Sequence, residues 1–372
     1  MEKKLEIKYD TAYKEIGDKR RRIDLKYHFV TDFYKSSGKY IRSGIIEDAR
    51  DSGKDPYRAS FPHLIDVGIM GSCQHGKSGL CRLAGIGCYQ SGGSVAAADM
   101  PLSDFQKIAD ESEHLVDQFA LGGRGDPDCH KDFEEILKYC KKRGIVPNYT
   151  TSGFAFNERK AELSRKYCGA VAVSWYRSAY TERAISLLLS AGCKTNIHFV
   201  LSSSSIDEAT ARLRENSFPK GINAVIFLLH KPMGEGSRAD MLSFGDRRME
   251  EFFDAAFKLK HPFKIGFDSC TVPAILSRRE VDLRSIDSCE GARFSMYISS
   301  DMVALPCSFD VDRKYGVSLR EVSIKDAWES DNFNRFRENQ LSACPGCDKR
   351  AVCFGGCPLD RSINLCGGEN GK

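Results

Sequence analysis

The cysteines near the C-terminal end of this chain constrain its fold more than any other feature. They are Cys289, Cys307, Cys344, Cys347, Cys353, Cys357 and Cys366, all within the last 84 of 372 residues. Four of them form one run, with two, five and three residues between successive members. Thiolates spaced this closely converge on a group that accepts several soft, anionic sulfur ligands, which indicates zinc or iron–sulfur.

A second group of cysteines lies upstream and has only three members. These are Cys73, Cys81 and Cys88, with seven and then six residues between them and no fourth cysteine close by. Three ligands leave one position of a metal site open, and open positions carry chemistry. The sequence therefore predicts a reactive upstream site and a closed downstream site.

Two zinc ions bound by eight thiolates are the alternative for the downstream group, because Cys-x2-Cys also begins many zinc ribbons. Zinc sites usually pair two such knuckles, and here only Cys344 and Cys347 form one. The spacing therefore favours iron–sulfur. Cys270 is an eighth candidate ligand, and eight thiolates supply two fully ligated four-iron clusters.

The composition predicts an ordinary soluble protein, with 41% hydrophobic residues, 28% charged residues and a net charge of +4, and we expect a cytoplasmic location. The N-terminus lacks the apolar segment of a signal peptide, and no apolar run is long enough to cross a membrane. Clustered cysteines in a long cytosolic chain bind metal more often than they form disulfides. A dense basic run at residues 19–22 is read as a solvated helix face, in preference to a contact with nucleic acid or an acidic substrate.

Short apolar runs alternate with amphipathic segments from residue 61 onward, which predicts an α/β fold. The first run ends at Met70, just before Cys73, and the helix after it has Ser103 and Gln106 spaced as a capping box. From Ile145 the runs recur at roughly 26-residue intervals, the size of one βα unit. Six such units predict a partial (β/α)6 parallel barrel with its function at the carboxyl ends of the strands.

Three regions follow from this pattern. We predict an N-terminal extension at 1–60, the barrel at 61–268, and a C-terminal irregular iron–sulfur domain at 269–372. The extension could recruit an acidic peptide electrostatically, or it could cover one end of the barrel.

These features resemble the radical S-adenosylmethionine (SAM) enzymes with a C-terminal SPASM domain, over about residues 61–372. The resemblance implies three four-iron, four-sulfur ([4Fe-4S]) clusters and SAM as cofactors. It assigns the upstream triplet to the cluster that binds SAM. The first auxiliary cluster would be held by Cys270, Cys289, Cys307 and Cys357, and the second by Cys344, Cys347, Cys353 and Cys366.

The upstream triplet departs from the family spacing of Cys-x3-Cys-x2-Cys, in which an aromatic residue precedes the last cysteine. Here both intervals are longer, and the aromatic residue, Tyr89, follows Cys88. Gly122 and Gly123 resemble the glycine motif that contacts the SAM amino group. By the same resemblance, Ser174 and Arg183 would contact the SAM ribose and carboxylate.

The resemblance implies an oxidoreductase that cleaves SAM reductively to a 5′-deoxyadenosyl radical. The expected substrate is a peptide, such as a ribosomally made precursor with a leader segment. An external electron donor such as flavodoxin or ferredoxin is expected as a partner, whereas a membrane or nucleic acid is not. Two alternatives stay open: a radical SAM enzyme acting on a small molecule, and a zinc-binding interaction protein.

Overall fold

The computed structural model describes residues 6–367, and its N-terminal part is an antiparallel sheet. Each strand of this sheet pairs with the next one along the chain. The strands are β1 (Glu6–Lys8), β2 (Thr11–Ile16), β3 (Lys19–Asp24), β4 (Phe29–Tyr34) and β5 (Lys39–Arg42). A short hairpin of β6 (Ile46–Glu47) and β7 (Arg50–Asp51) follows.

Seven parallel strands form the central part of the chain. They are β8 (Leu64–Met70), β9 (Gln118–Gly123), β10 (Val146–Thr151), β11 (Val171–Ser174), β12 (Thr195–Leu201), β13 (Ala224–Leu229) and β14 (Lys264–Phe267). Two short helices, α1 (Gln74–Ser78) and α2 (Leu80–Leu83), come directly after β8. The longer helices are α3 (Leu102–Ser112), α4 (Phe133–Lys142), α5 (Glu158–Tyr167), α6 (Ala179–Ser190), α7 (Ile206–Glu215) and α8 (Arg248–Lys258). Six βα units and a closing strand therefore form the predicted open, partial barrel.

Alternation along the strands explains this packing. On β8, Ile65, Val67 and Ile69 are fully buried in the main hydrophobic core, whereas Asp66 lies on the opposite face. The predicted capping box of α3 is wrong, because the helix starts after Pro101 with no side-chain cap. Pro101 occupies the N-cap position, so Ser103 lies inside the first turn of α3 and is not its cap.

The C-terminal part continues the same sheet. Strand β15 (Ser295–Ile298) pairs in parallel with β8, and β16 (Val303–Leu305) and β17 (Val317–Ser318) extend the edge. The helices here are α9 (Val272–Arg278), α10 (Ile324–Glu329), α11 (Asp331–Leu341) and α12 (Arg350–Cys353). Between residues 6 and 367 no helix is both long and apolar enough to cross a membrane.

The N-terminal sheet covers the amino ends of the barrel strands. Arg20 and Arg22 on β3 are only 1% and 2% exposed, and both form ion pairs with Asp117, the residue before β9. Arg20 also donates to the carbonyl oxygens of Val116 at 2.6 Å and Gly144 at 2.9 Å. The interpretation of residues 19–22 as a solvated helix face is therefore wrong. Alternate arginines of a strand point to the same side, and here that side is the barrel.

Candidate active site and thiol sets

The upstream triplet lies in the loop that leaves the carboxyl end of β8. Cys73 caps α1, and its sulfur accepts a hydrogen bond from the Gly76 amide at 3.0 Å. Cys81 is buried in α2. The pKa of the Cys73 thiol is raised to about 11, mainly by burial, with smaller contributions from the nearby charges of Asp126, Cys88 and Cys81. A Cβ at Gly92 would lie 3.1 Å from the Cys73 Cβ and 3.4 Å from the Cys88 sulfur. These three cysteines, called the radical set below, therefore share one site.

The wide spacing of the radical set has a structural cause, because helix α1 occupies the interval between Cys73 and Cys81, and Cys81 itself lies in α2. Neighbouring elements hold the loop in place. Arg124 donates to the carbonyl oxygens of Gln90 at 2.8 Å and Gly71 at 3.3 Å. The amide of Glu235, in the segment after β13, donates to the Cys88 carbonyl at 2.9 Å.

Aromatic side chains form one wall of the radical set. His75 is hydrogen-bonded through Nε2 to the Tyr180 hydroxyl at 2.7 Å, and its ring lies 4.4 Å from that of Tyr176. Burial lowers the pKa of His75 to about 4, so this imidazole is neutral. Burial raises the pKa of Tyr176, and the charges of all three thiols add to the rise. Tyr176 therefore lies against the site, and nothing in its sequence context predicted this.

Three of the four predicted SAM contacts lie at the carboxyl edge of the strands. Gly122 and Gly123 end β9, and Ser174 ends β11. Gly123 has a φ of +105°, and a Cβ there would lie 2.5 Å from the Met70 carbonyl oxygen. A Cβ on Gly122 would meet nothing within 4 Å. The strand edge therefore has open space beside Gly122.

Arg183 is not brought to this edge. Its side chain is 64% exposed and pairs with Glu158 at 3.4 Å, on the outer surface between α5 and α6. The buried face of α6 carries Thr181, Ala184 and Ile185, so position 183 points away from the barrel. The predicted contact of Arg183 with the SAM carboxylate does not fit this placement.

The first auxiliary set consists of Cys270, Cys289, Cys307 and Cys357. Burial raises the pKa of each thiol, and the charges of Cys289 and Cys357 raise the pKa of both Cys270 and Cys307 further. The four thiols therefore lie near one another in the interior. Cys270, which comes just after β14, joins the three cysteines of the C-terminal part.

The second auxiliary set lies at the surface. Cys344, Cys347, Cys353 and Cys366 all line one cavity of about 1030 Å³. The pKa of Cys353 is raised to about 11, mainly by burial, with smaller contributions from the charges of Cys366 and Cys344. Cys347 is exposed. A cluster held here would be open to solvent on one side.

The three thiol sets suit clusters by their donor chemistry. Within residues 6–367, no three His, Cys, Asp or Glu side chains converge tightly enough to hold a single metal ion. A zinc ion needs four ligands at about 2.0–2.3 Å from one atom, whereas each thiolate of a four-iron cluster binds its own iron. Sets of three, four and four thiols meet the ligand numbers of one open and two closed four-iron clusters.

Two charged residues that we did not single out from the sequence also lie near these sites. Asp66 is partly exposed on the interior face of β8 and accepts no hydrogen bond from any residue that the structure describes. Burial raises its pKa to about 7. Lys231 is buried beside Asp268. An acidic residue inside the apolar run of residues 64–70 was a visible signal for Asp66, whereas Lys231 had none.

Comparison with known proteins confirms the resemblance to radical SAM enzymes with a SPASM domain. The family described as SPASM, an iron–sulfur cluster-binding domain, matches residues 289–348. The PqqA peptide cyclase of Xanthomonas euvesicatoria pv. vesicatoria (strain 85-10) is 24% identical over 268 residues, which cover 63% of this chain and 68% of that relative. The PqqA peptide cyclase of Xanthomonas campestris pv. campestris (strain B100) is 22% identical over 294 residues, covering 70% of this chain and 74% of the relative.

Solved structures confirm the predicted fold class. Streptococcus suis SuiB bound to its precursor peptide SuiA has a TM-score of 0.67 and 15% identity, over 95% of each chain. The protein anSMEcpe with bound AdoMet has a TM-score of 0.59 and 15% identity, over 81% of this chain and 87% of that one. The molecule is thus a partial parallel barrel, similar in fold to SuiB and anSMEcpe, with a SPASM iron–sulfur match in its C-terminal part. In sequence it is similar to the PqqA peptide cyclases.

Proposed function

We propose that this protein is a radical SAM oxidoreductase that cleaves SAM reductively and modifies a peptide. The observation that carries the proposal is the grouping of eleven cysteines into three sets. The open set lies at the carboxyl edge of the barrel, the edge at which barrel enzymes place their chemistry. The two closed sets follow in the C-terminal part, and the SPASM match at residues 289–348 contains four of their eight cysteines.

Each thiol set has its own role in this proposal. The radical set would hold the cluster that binds SAM, and the two auxiliary sets would hold one four-iron cluster each. When bound, the cluster of the radical set would supply the electron for reductive cleavage of the C5′–S bond of SAM. The chain itself orients and shields the reactants. Gly122 leaves room beside the strand edge for the SAM amino group, Ser174 reaches the ribose, and Tyr176 with its aromatic neighbours excludes water.

The peptide substrate is supported by the relatives rather than by a particular pocket. The PqqA peptide cyclases are named for a peptide substrate, and SuiB was solved with a precursor peptide bound. The interior face of the sheet carries polar groups, among them Asp66, Thr150 and His198, that could orient such a substrate. An external donor such as flavodoxin or ferredoxin would supply the electrons, with the second auxiliary set as the solvent-facing point of entry.

Metal content tests the proposal directly. Anaerobically reconstituted protein is expected to carry about twelve irons per chain and to form 5′-deoxyadenosine from SAM after reduction. Replacing Cys73, Cys81 and Cys88 together with alanine should remove about four of these irons and all of the product. Cys193→Ala is the matched control, because Cys193 lies outside the three sets. Protein with stoichiometric zinc and no iron would support the zinc-binding alternative and end the proposal.

Isotope transfer separates the peptide reading from the small-molecule alternative. Deuterium should pass into 5′-deoxyadenosine from a labelled peptide encoded beside this chain. Transfer from a small metabolite, with none from any neighbouring peptide, would retain the radical chemistry and replace the substrate class.

A further inference from the structure

Lys231 is a buried cation just beyond the carboxyl end of β13. Its side chain is 2% exposed, and its ammonium donates to Asp268 Oδ2 at 2.6 Å and to the Leu229 carbonyl oxygen at 3.0 Å. Removing an ammonium from water costs several kcal/mol, which a single carboxylate offsets only in part. A buried lysine at this position therefore calls for further negative charge nearby.

The first auxiliary set supplies that charge. Both neighbours of the Lys231 ammonium lie close to cysteines of this set along the chain. Asp268, at 2.6 Å, is two residues before Cys270, and Phe309, whose ring centre is 4.3 Å away, is two residues after Cys307. Cys289 has a different cation beside it, because Arg293 donates to its carbonyl oxygen at 3.3 Å.

Lys231 also lies on the side of the first auxiliary set that faces the radical set. Its ammonium is 4.3 Å from the centre of the Phe309 ring. The Phe309 ring in turn packs against that of Tyr89, with 4.3 Å between centroids. Tyr89 directly follows Cys88. Two packed rings and one cation therefore connect the two thiol sets.

A fixed positive charge at this point has a definite effect on a cluster. A four-iron cluster gains one negative charge when it takes up an electron, so a neighbouring cation stabilises the reduced form. Burial strengthens the effect, because low-dielectric surroundings screen the interaction less than water does. A neighbouring carboxylate acts in the opposite direction.

We propose that Lys231 is a positioning residue for electron transfer, whose ammonium raises the reduction potential of the cluster held by the first auxiliary set. Asp268 holds the ammonium in place and partly opposes its charge. The inference rests on the proposed function, since it needs a cluster in this set. It adds a role for one side chain that neither the cysteine spacing nor the related proteins assign.

The test is a reductive titration of the reconstituted holoenzyme, followed by electron paramagnetic resonance. At the native midpoint of the first auxiliary cluster, Lys231→Met should lower the ratio of reduced to oxidised cluster about tenfold, equivalent to 59 mV for a one-electron couple. Lys231→Arg keeps the charge and should stay close to native. Asp268→Asn removes a negative charge and should shift the same ratio upward.

The opposite signs expected for Lys231→Met and Asp268→Asn separate electrostatics from structural damage. Lys349→Met, which removes a cation beside the second auxiliary set, is the control and should leave the first-set transition unmoved. The inference fails if Lys231→Met retains about twelve irons and the native midpoint. It also fails if both variants shift the midpoint in the same direction. Native protein that binds no iron would overturn the proposed function instead.

Discussion

Both ends of the barrel contain buried charged side chains, but the partners of these side chains differ. At the amino end, Arg20 and Arg22 each form an ion pair with Asp117, and a five-stranded sheet covers them. At the carboxyl end, neither a hydrogen bond nor a charged partner offsets the effect of burial on Asp66, and Lys231 pairs with Asp268 beside the first auxiliary set. Buried charge alone therefore does not mark a functional site. A buried ionisable group without a charged partner, such as Asp66, is the better candidate for contact with a ligand.

The largest effect that would sharpen this contrast is expected at the radical set. Cys81→Ala should abolish formation of 5′-deoxyadenosine, because two thiolates do not hold a four-iron cluster with one open iron. The free energy of unfolding of the apoprotein should change by only about 1 kcal/mol, as for a small buried side chain. Product analysis and denaturant unfolding measure the two effects. A variant that still cleaved SAM would remove the radical set from the mechanism.

The amino end should respond in the opposite way. Arg22→Met leaves Asp117 with only its longer ion pair to Arg20, and we expect it to lower the free energy of unfolding by about 3–5 kcal/mol. Arg21→Met on the same strand is the matched control. Its side chain is 45% exposed and pairs with Asp32, so it should cost no more than about 1 kcal/mol.

Denaturant midpoints of the two arginine variants provide the measurement. Folded Arg22→Met should still bind iron and cleave SAM, since it touches none of the thiol sets. If Arg22→Met lost SAM cleavage but kept its stability, the amino end would take part in the reaction. The assignment of stability to the amino end and of chemistry to the carboxyl end would then be wrong.

Much of the fold could be predicted from the sequence, and the reasons are physical. Strand β13 is one of the apolar runs that predicted the barrel, because a parallel strand covered on both faces is written as one continuous apolar segment. Strand β3 was missed because its lysine and arginines show no alternation of apolar and polar types. Only the tertiary structure reveals that Arg20 and Arg22 face the barrel.

The site could be predicted where the residue type itself indicates the chemistry, as cysteine does for metal binding. Cysteine spacing indicated an upstream triplet and a downstream group, and the family resemblance divided the downstream cysteines into two sets. Arg183 shows the limit of this reasoning, since a resemblance in position along the chain did not determine which face of α6 it occupies. Lys231 shows another limit, because its partners Asp268 and Cys307 are remote in sequence.

Asp66 provides a pH test of the carboxyl end. The ordinary pKa of an aspartate is 3.8, and burial raises that of Asp66 to about 7 in the folded protein. Between these values the folded state binds a proton that the unfolded state lacks, so stability falls as pH rises through this window. Asp66→Asn has no charge to bury. It should therefore be more stable than native protein above pH 7, by at most about 4 kcal/mol, with the difference vanishing near pH 4.

Urea unfolding of the apoprotein at several pH values measures this effect. Asp32→Asn is the contrasting variant, because its partner Arg21 lowers the pKa of Asp32. Removal of that carboxylate should therefore lower the free energy of unfolding at neutral pH, whereas removal of the Asp66 carboxylate should raise it. If Asp66→Asn followed the native pH profile, Asp66 would be paired in solution and the contrast between the two ends would be lost.

The smallest effect concerns the glycine pair at the end of β9. An alanine at Gly122 meets open space, so Gly122→Ala should change the free energy of unfolding by no more than about 1 kcal/mol. Its methyl group would occupy the space proposed for the SAM amino group, so the KM for SAM should rise several-fold while iron content stays native. Gly123→Ala is the contrasting variant, because its φ of +105° and the nearby Met70 carbonyl make any side chain strained. Gly123→Ala should therefore lower the free energy of unfolding more than Gly122→Ala does. An unchanged KM in folded Gly122→Ala would show that SAM does not use the open space, and its amino group would then have to bind elsewhere along the strand edge.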